Sequence, residues 1–179
     1  MSTLKLMHRK KIRNILDQLD YGWSQFTIEH FVAHVAAVRK RPIVVSGVAL
    51  HEVTGMCVSL PTRDYIFYDV RRHRAVQVHI TLHELAHLLL GHVSSVEYTS
   101  RIGDLQSILL HINTRIAVTQ TNEYLWQEEL EAEYLAHLIQ QSVRTAKRLD
   151  ALTRTDSAAD VFIPPFTGDF VKGKSDDDV

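Results

Sequence analysis

The sequence predicts an α+β fold: a small antiparallel sheet of about three strands packed on a helix, with helices before the sheet and a long helix after it. Three observations predict it. Apolar residues recur at helical spacing over residues 3–19 and again over about 27–38. Three short runs rich in β-branched and aromatic residues follow between residues 43 and 69. Helical periodicity then returns from about Arg74 and once more from about Thr121.

Leu4, Met7, Ile12, Ile15, Leu16 and Leu19 form the expected inner face of the first helix, which Tyr21-Gly22 breaks. Ser24 or Thr27 can cap a second helix, with Ile28, Phe31, Val32, Val35 and Ala36 as its stripe. Arg41-Pro42 stops it, because the residue before proline is pushed out of the α region. Ile43–Val45, Gly55–Leu60 and Asp64–Asp69 read as strands, and the short link Pro61-Thr62-Arg63-Asp64 suits a hairpin. The next helix is expected from about Arg74 to Leu90, with Gly91 placed to end it. Leu105, Ile108, Leu109 and Ile112 suggest a short helix within residues 93–120. Thr121-Asn122 can cap a long helix to about Leu149. Its early turns carry Glu123, Glu128, Glu129, Glu131 and Glu133 and its late turns Arg144, Lys147 and Arg148, a polarity that suits the helix dipole. The expected organisation is one domain over residues 1–157 and a flexible tail over 158–179, which holds Pro164-Pro165 and an acidic end.

The formal net charge of −1 provides no overall field to draw nucleic acid or an anionic membrane. The basic run His8–Arg13 is local and reads as the solvated face of the first helix. Cys57 is the only cysteine, which excludes an internal disulfide and a zinc site built on a cysteine cluster. No apolar stretch is long enough to span a bilayer, and no apolar run follows the N-terminal charges, so the expectation is a cytoplasmic protein.

The chemistry-bearing feature is His83-Glu84-Leu85-Ala86-His87, an H-E-x-x-H pattern. Four residues advance a helix by about one turn, so both imidazoles face one side and can share one ion. Glu84 can lie beside that ion without ligating it and act as the base, which makes this a zincin-type helix. Surrounding leucines at 82, 85, 88, 89 and 90 predict that the helix is largely buried. Two histidines with a carboxylate suit Zn2+, one ion, although iron or manganese also accepts that set.

A catalytic zinc takes three protein ligands and keeps one position open. His79 shares the stripe of His83 and His87, but a rise of about 12 Å over eight residues is too great for His79 and His87 to meet one ion. His92 falls at the wrong spacing for a metzincin third ligand. On a helical wheel of the C-terminal helix, Glu131 falls within about 40° of Leu138, Tyr124 and Leu135, while Glu129 and Glu133 lie roughly 160° away. A carboxylate central to an apolar stripe needs a cation, so Glu131 is the favoured third ligand, with Glu128, His92 and Asp104 as rivals.

Thr81-Leu82-His83-Glu84-Leu85-Ala86-His87-Leu88-Leu89-Leu90 and Glu129-Leu130-Glu131-Ala132-Glu133-Tyr134-Leu135-Ala136 together resemble the ImmA/IrrE family of zinc metallo-endopeptidases. The resemblance covers about residues 40–140. It implies that His83, His87 and Glu131 are metal ligands, that Glu84 is the catalytic base, and that a downstream E-A-(D/N/E)-x-(F/L)-A helix supplies the third ligand. The separation of His87 from Glu131 is long for this family. The implied activity is zinc-dependent cleavage of a narrow protein substrate, a helix-turn-helix transcriptional repressor, in a stress or mobile-element switch.

In such an enzyme Glu84 takes a proton from the attacking water and delivers it to the leaving amine. Tyr98, Tyr124, Tyr134, His92, His111 and His137 are candidate oxyanion donors, and the strand at 64–69 is a candidate for edge pairing with substrate backbone. Two other readings remain open. One is a non-catalytic, zinc-stabilised module that docks to a transcription factor; the other is a DNA-binding regulator using the basic first helix, which the near-neutral charge argues against.

Overall fold

Helix α1 (Thr3–Gln18) and helix α2 (Ile28–Arg39) meet at a corner made by Tyr21, a 3-10 turn at Trp23–Gln25, and Phe26. The structure, a computed structural model of the chain, describes residues 3–50, 53–92 and 123–159. Thr27 caps α2 through its side chain, which accepts from the His30 N–H at 3.1 Å. At the other end Lys40 takes a left-handed conformation (φ 53°), which turns the chain out of the helix before Pro42.

Strands β1 (Ile43–Val48), β2 (Gly55–Ser59) and β3 (Asp64–Asp69) follow. The sheet order is β1-β3-β2. The short link after β2 makes the β2–β3 hairpin antiparallel, in the register Cys57↔Ile66. β1, however, runs parallel to β3, in the register Val45↔Ile66. The sheet is therefore mixed, not antiparallel as the sequence suggested. The reason is connectivity: the chain from β1 passes over to the far edge, lays down β2 there, and returns through the centre as β3. β3 is paired on both sides, so the edge-pairing role expected for residues 64–69 does not hold; among the described residues the open edges belong to β1 and β2.

Alternation along the strands gives the sheet two apolar faces. Ile43, Val45, Cys57 and Ile66 pack toward the helices, in a core with Phe31, Val35, Leu82, Leu85, Leu88, Leu135 and Ile139. Met56, Val58 and Phe67 face the other way, under Leu50.

Helix α3 (Arg74–Leu90) lies between the sheet and helix α4 (Glu123–Ala159). Gly91 ends α3 at φ +76°, a left-handed position that a Cβ would strain. α4 runs to Ala159, about ten residues beyond its expected end near Leu149. Its buried positions are Ala132, Leu135, Ala136, Ile139 and Val143. Ala86 on α3, with Ala132 and Ala136 on α4, has no exposed surface, and such small side chains let two helices approach closely. Among the described residues there are four α-helices, and none is long and apolar enough to cross a membrane. The short helix expected near 105–112 and the tail from 160 onward lie outside the described residues.

Candidate metal centre

Two ladders of the same spacing face each other across the α3–α4 contact. His79, His83 and His87 recur every four residues on α3, and Glu129 and Glu133 do so on α4. The helices run antiparallel here, so the side chains interleave. His87 Nε2 lies 3.4 Å from Glu129, and His83 Nε2 lies 3.1 Å from the same carboxylate. His83 Nδ1 lies 3.3 Å from Glu133, which also meets His79 Nε2 at 3.3 Å. The Gln140 side chain reaches His79 Nδ1 at 3.0 Å.

The inner end of this ladder is a candidate metal centre. His83 Nε2, His87 Nε2 and a Glu129 oxygen converge on one point, with the two Nε2 atoms 3.1 Å apart. A tetrahedral ion with bonds of about 2.0–2.1 Å separates its donors by roughly 3.3 Å. Two imidazoles and a carboxylate at this spacing could hold a metal ion. Glu133 supports the set from outside: its carboxylate can only accept, so His83 donates to it from Nδ1, which orients the ring with Nε2 toward His87 and Glu129.

The structure does not bring Glu131 to the histidine pair. Its Oε1 meets His8 Nδ1 at 2.5 Å and the Gln127 amide at 2.9 Å; its Oε2 meets His92 Nε2 at 3.3 Å. The glutamate that groups with His83 and His87 is Glu129. The wheel was centred on the bulky residues Tyr124, Leu135 and Leu138, whereas the buried face of α4 is centred on Ala132, Ala136, Ile139 and Val143. From that centre Glu129 is only about 60° away and Glu131 about 100°. Alanines weigh little in a hydrophobicity count, yet Ala132 and Ala136 are fully buried. The signal that would have found Glu129 is the matched four-residue spacing of Glu129/Glu133 and His79/His83/His87.

Glu84 is 8% exposed and faces β2 rather than α4. A Cβ on Gly55 would stand 2.2 Å from Ile80 Cγ2 and 2.9 Å from Glu84 Oε1, so a glycine is needed where the strand crosses the carboxylate. Burial raises the Glu84 pKa, and the nearby His87 and His83 and the Cys57 thiol only partly offset this. Burial and the Glu84 carboxylate push the Cys57 thiol well above its ordinary range, so it is an inert neighbour rather than a nucleophile.

Glu129 is held well below the usual carboxylate range, first by its hydrogen bond with His83. His83 is raised, first by its hydrogen bond to Glu129. His92 is lowered by burial and by His87. Burial works to raise Glu131, but hydrogen bonds from Gln127, His8 and His92 outweigh it, so Glu131 lies below its ordinary value and stays ionised.

Of the candidate oxyanion donors, Tyr134 turns toward α1, where it bonds Arg13 and lies under Arg9. His137 lines a groove with His8 and Arg9 on that same side of α4. His92 sits between His87 and Glu131. The side chains of Tyr98, His111 and Tyr124, and the rival ligand Asp104, lie outside the described residues.

Comparison with protein-family models, with curated proteins and with solved structures gives no match for this chain. The functional reading is therefore carried by the geometry of the site.

Proposed function

We propose that the chain is a zinc-dependent endopeptidase in which His83, His87 and Glu129 hold the metal and Glu84 moves the proton. The observation that supports this is the convergence of three metal donors beside a buried carboxylate that is not one of them. Zinc held by such a set supplies a Lewis acid and a water acidified toward neutrality. Glu84, its pKa raised by burial, accepts a proton from the attacking water and returns it to the leaving amine. Glu133 keeps His83 oriented, and the exposed flank of Glu129 leaves a side through which a polypeptide can enter. The face of β2 at Gly55 lies against Glu84, and β2 is an edge strand among the described residues, so main-chain pairing along it would bring a polypeptide near the site. It takes the place of the edge expected at 64–69. The substrate class follows the ImmA/IrrE resemblance: a helix-turn-helix repressor, cleaved to relieve repression.

Zinc titration of the purified chain, paired with cleavage of a mixed peptide library, tests this reading. The wild type is expected to bind one zinc and cleave. Glu84→Gln keeps the zinc and loses cleavage; His83→Ala and Glu129→Ala lose both. A wild type that takes up no zinc, or equal cleavage by Glu84→Gln, overturns the proposal.

A further inference from the structure

Glu131 and His92 form a cluster that the proposed catalysis does not use. Their side chains are 13% and 9% exposed, and among the described residues they meet the site through His87. His92 Nε2 lies 3.3 Å from Glu131 Oε2, and His92 Nδ1 lies 3.3 Å from His87 Nδ1. Gly91 makes this possible: the left-handed turn at the end of α3 folds the next residue back, and the His92 N–H bonds the His87 carbonyl at 3.1 Å.

The direction of each hydrogen bond follows from the inventory of protons. An ionised carboxylate has none to give, so His92 donates to Glu131 from Nε2. A neutral imidazole carries one N–H, which leaves His92 Nδ1 as an acceptor. Two ring nitrogens at hydrogen-bond distance need one proton between them, so His87 Nδ1 donates it. His87 Nε2 is then the lone pair; it faces His83 Nε2 and Glu129, and in the metal-free protein it accepts a hydrogen bond from the proton that His83 carries on Nε2.

We propose that Glu131 and His92 are positioning residues, a two-member relay that fixes the His87 tautomer so that Nε2 is ready for a metal ion. His83 receives the same service directly from Glu133, so each ligand histidine is set by a carboxylate of α4, one at contact and one through an intervening imidazole. His8 of α1 and Gln127 of α4 hold the far side of Glu131 and orient it. This inference rests on the metal-centre reading above.

Two measurements test it. In metal-free protein labelled with 15N at histidine, long-range proton–nitrogen spectra are expected to show His87 protonated at Nδ1 in the wild type. In His92→Leu the proton is expected to move to Nε2, the form favoured by free imidazole. Zinc affinity by chelator competition is expected to fall about 10- to 100-fold in His92→Leu and Glu131→Ala, the range for losing an outer partner of a metal ligand. His92→Gln can accept from His87 and donate to Glu131, and Glu131→Gln can still accept from His92 if the Gln127 amide turns over. Both are expected to stay within about threefold of wild type by the same criterion.

A wild-type His87 protonated at Nε2 overturns the relay without any substitution, so a variant that fails to fold does not rescue it. His92→Leu binding zinc as tightly as wild type overturns it too. So does Glu131→Gln losing zinc as completely as Glu129→Ala, which would make Glu131 a ligand. If the wild type binds no zinc at all, the metal-centre reading falls and the relay with it. If zinc binding depends on His83 but not on His92, only the relay falls.

Discussion

Two charged clusters flank α3, and they neutralise their carboxylates differently. On the sheet side Asp64, with no exposed surface, accepts from Arg39 at 3.0 Å, Arg41 at 2.7 Å and Ser59 at 2.5 Å. Arg39 also donates to the Leu88 carbonyl at 2.5 Å, so one buried carboxylate ties the end of α2, the hairpin and the end of α3 together. On the α4 side, among the described residues, every ion pair of Glu129, Glu131 and Glu133 is with a histidine. A guanidinium is a permanent cation, whereas an imidazole is charged only part of the time and is a metal ligand when neutral. The first cluster is closed and structural. The second leaves its charge balance to be completed by something exchangeable.

The largest effect that would separate the two clusters is on turnover. Glu84→Gln is expected to lower peptide cleavage by about 10²- to 10⁴-fold with zinc content unchanged, whereas no substitution at Asp64 should act on chemistry except through unfolding. Next is stability. Asp64→Ala leaves two guanidiniums without their buried partner and is expected to cost about 3–5 kcal/mol in urea unfolding, with or without zinc. Glu129→Ala in metal-free protein should cost no more than about 1 kcal/mol, because that side chain is mostly exposed. Saturating zinc narrows the gap: at about 100 times Kd it should stabilise the wild type by roughly 2.7 kcal/mol and Glu129→Ala not at all. Equal zinc stabilisation of both proteins would remove Glu129 from the site.

A smaller effect is on pH. The His83 pKa is raised in the folded, metal-free protein, so zinc must displace a proton there. Affinity is therefore expected to rise as pH increases through that pKa and to level off above it, losing about tenfold or more between pH 8 and pH 5. Asp64 behaves oppositely and lower on the scale. Its pKa is depressed despite the burial that works to raise it, because Ser59, Arg39 and Arg41 all bond its charged form. Its contribution to stability is complete above the unfolded carboxylate value of about 3.9 and is lost as pH falls through the lower folded value. Acid unfolding that begins well above pH 4 in zinc-free protein would assign the first loss to another group. Gly55→Ala is expected to act on stability alone. Its methyl group must push β2 away from Ile80 and Glu84, costing about 1–3 kcal/mol of stability with zinc affinity intact.

Much of the framework was legible in local sequence. The α2 cap at Thr27, the β3 limits at Asp64 and Asp69, and the α3 stop at Gly91 are each set by one or a few neighbouring residues, and each is found where the sequence put it. The juxtaposition of His83 and His87 is a property of one helix and needs no partner to predict. The parallel pairing of β1 with β3 was not legible, because strand order depends on where a connection crosses the sheet and not on the strand's own residues.

The third donor shows the same boundary most sharply. The sequence by itself determined that two imidazoles and a carboxylate stand together on α3 and that several glutamates crowd the start of α4. Which glutamate meets the histidines was decided only by the tertiary structure. That choice depends on the rotation of α4 about its axis, which turns Ala132, Leu135, Ala136, Ile139 and Val143 into the core. With that face inward, Glu129 meets the histidines of α3 while Glu131 meets His8 and His92.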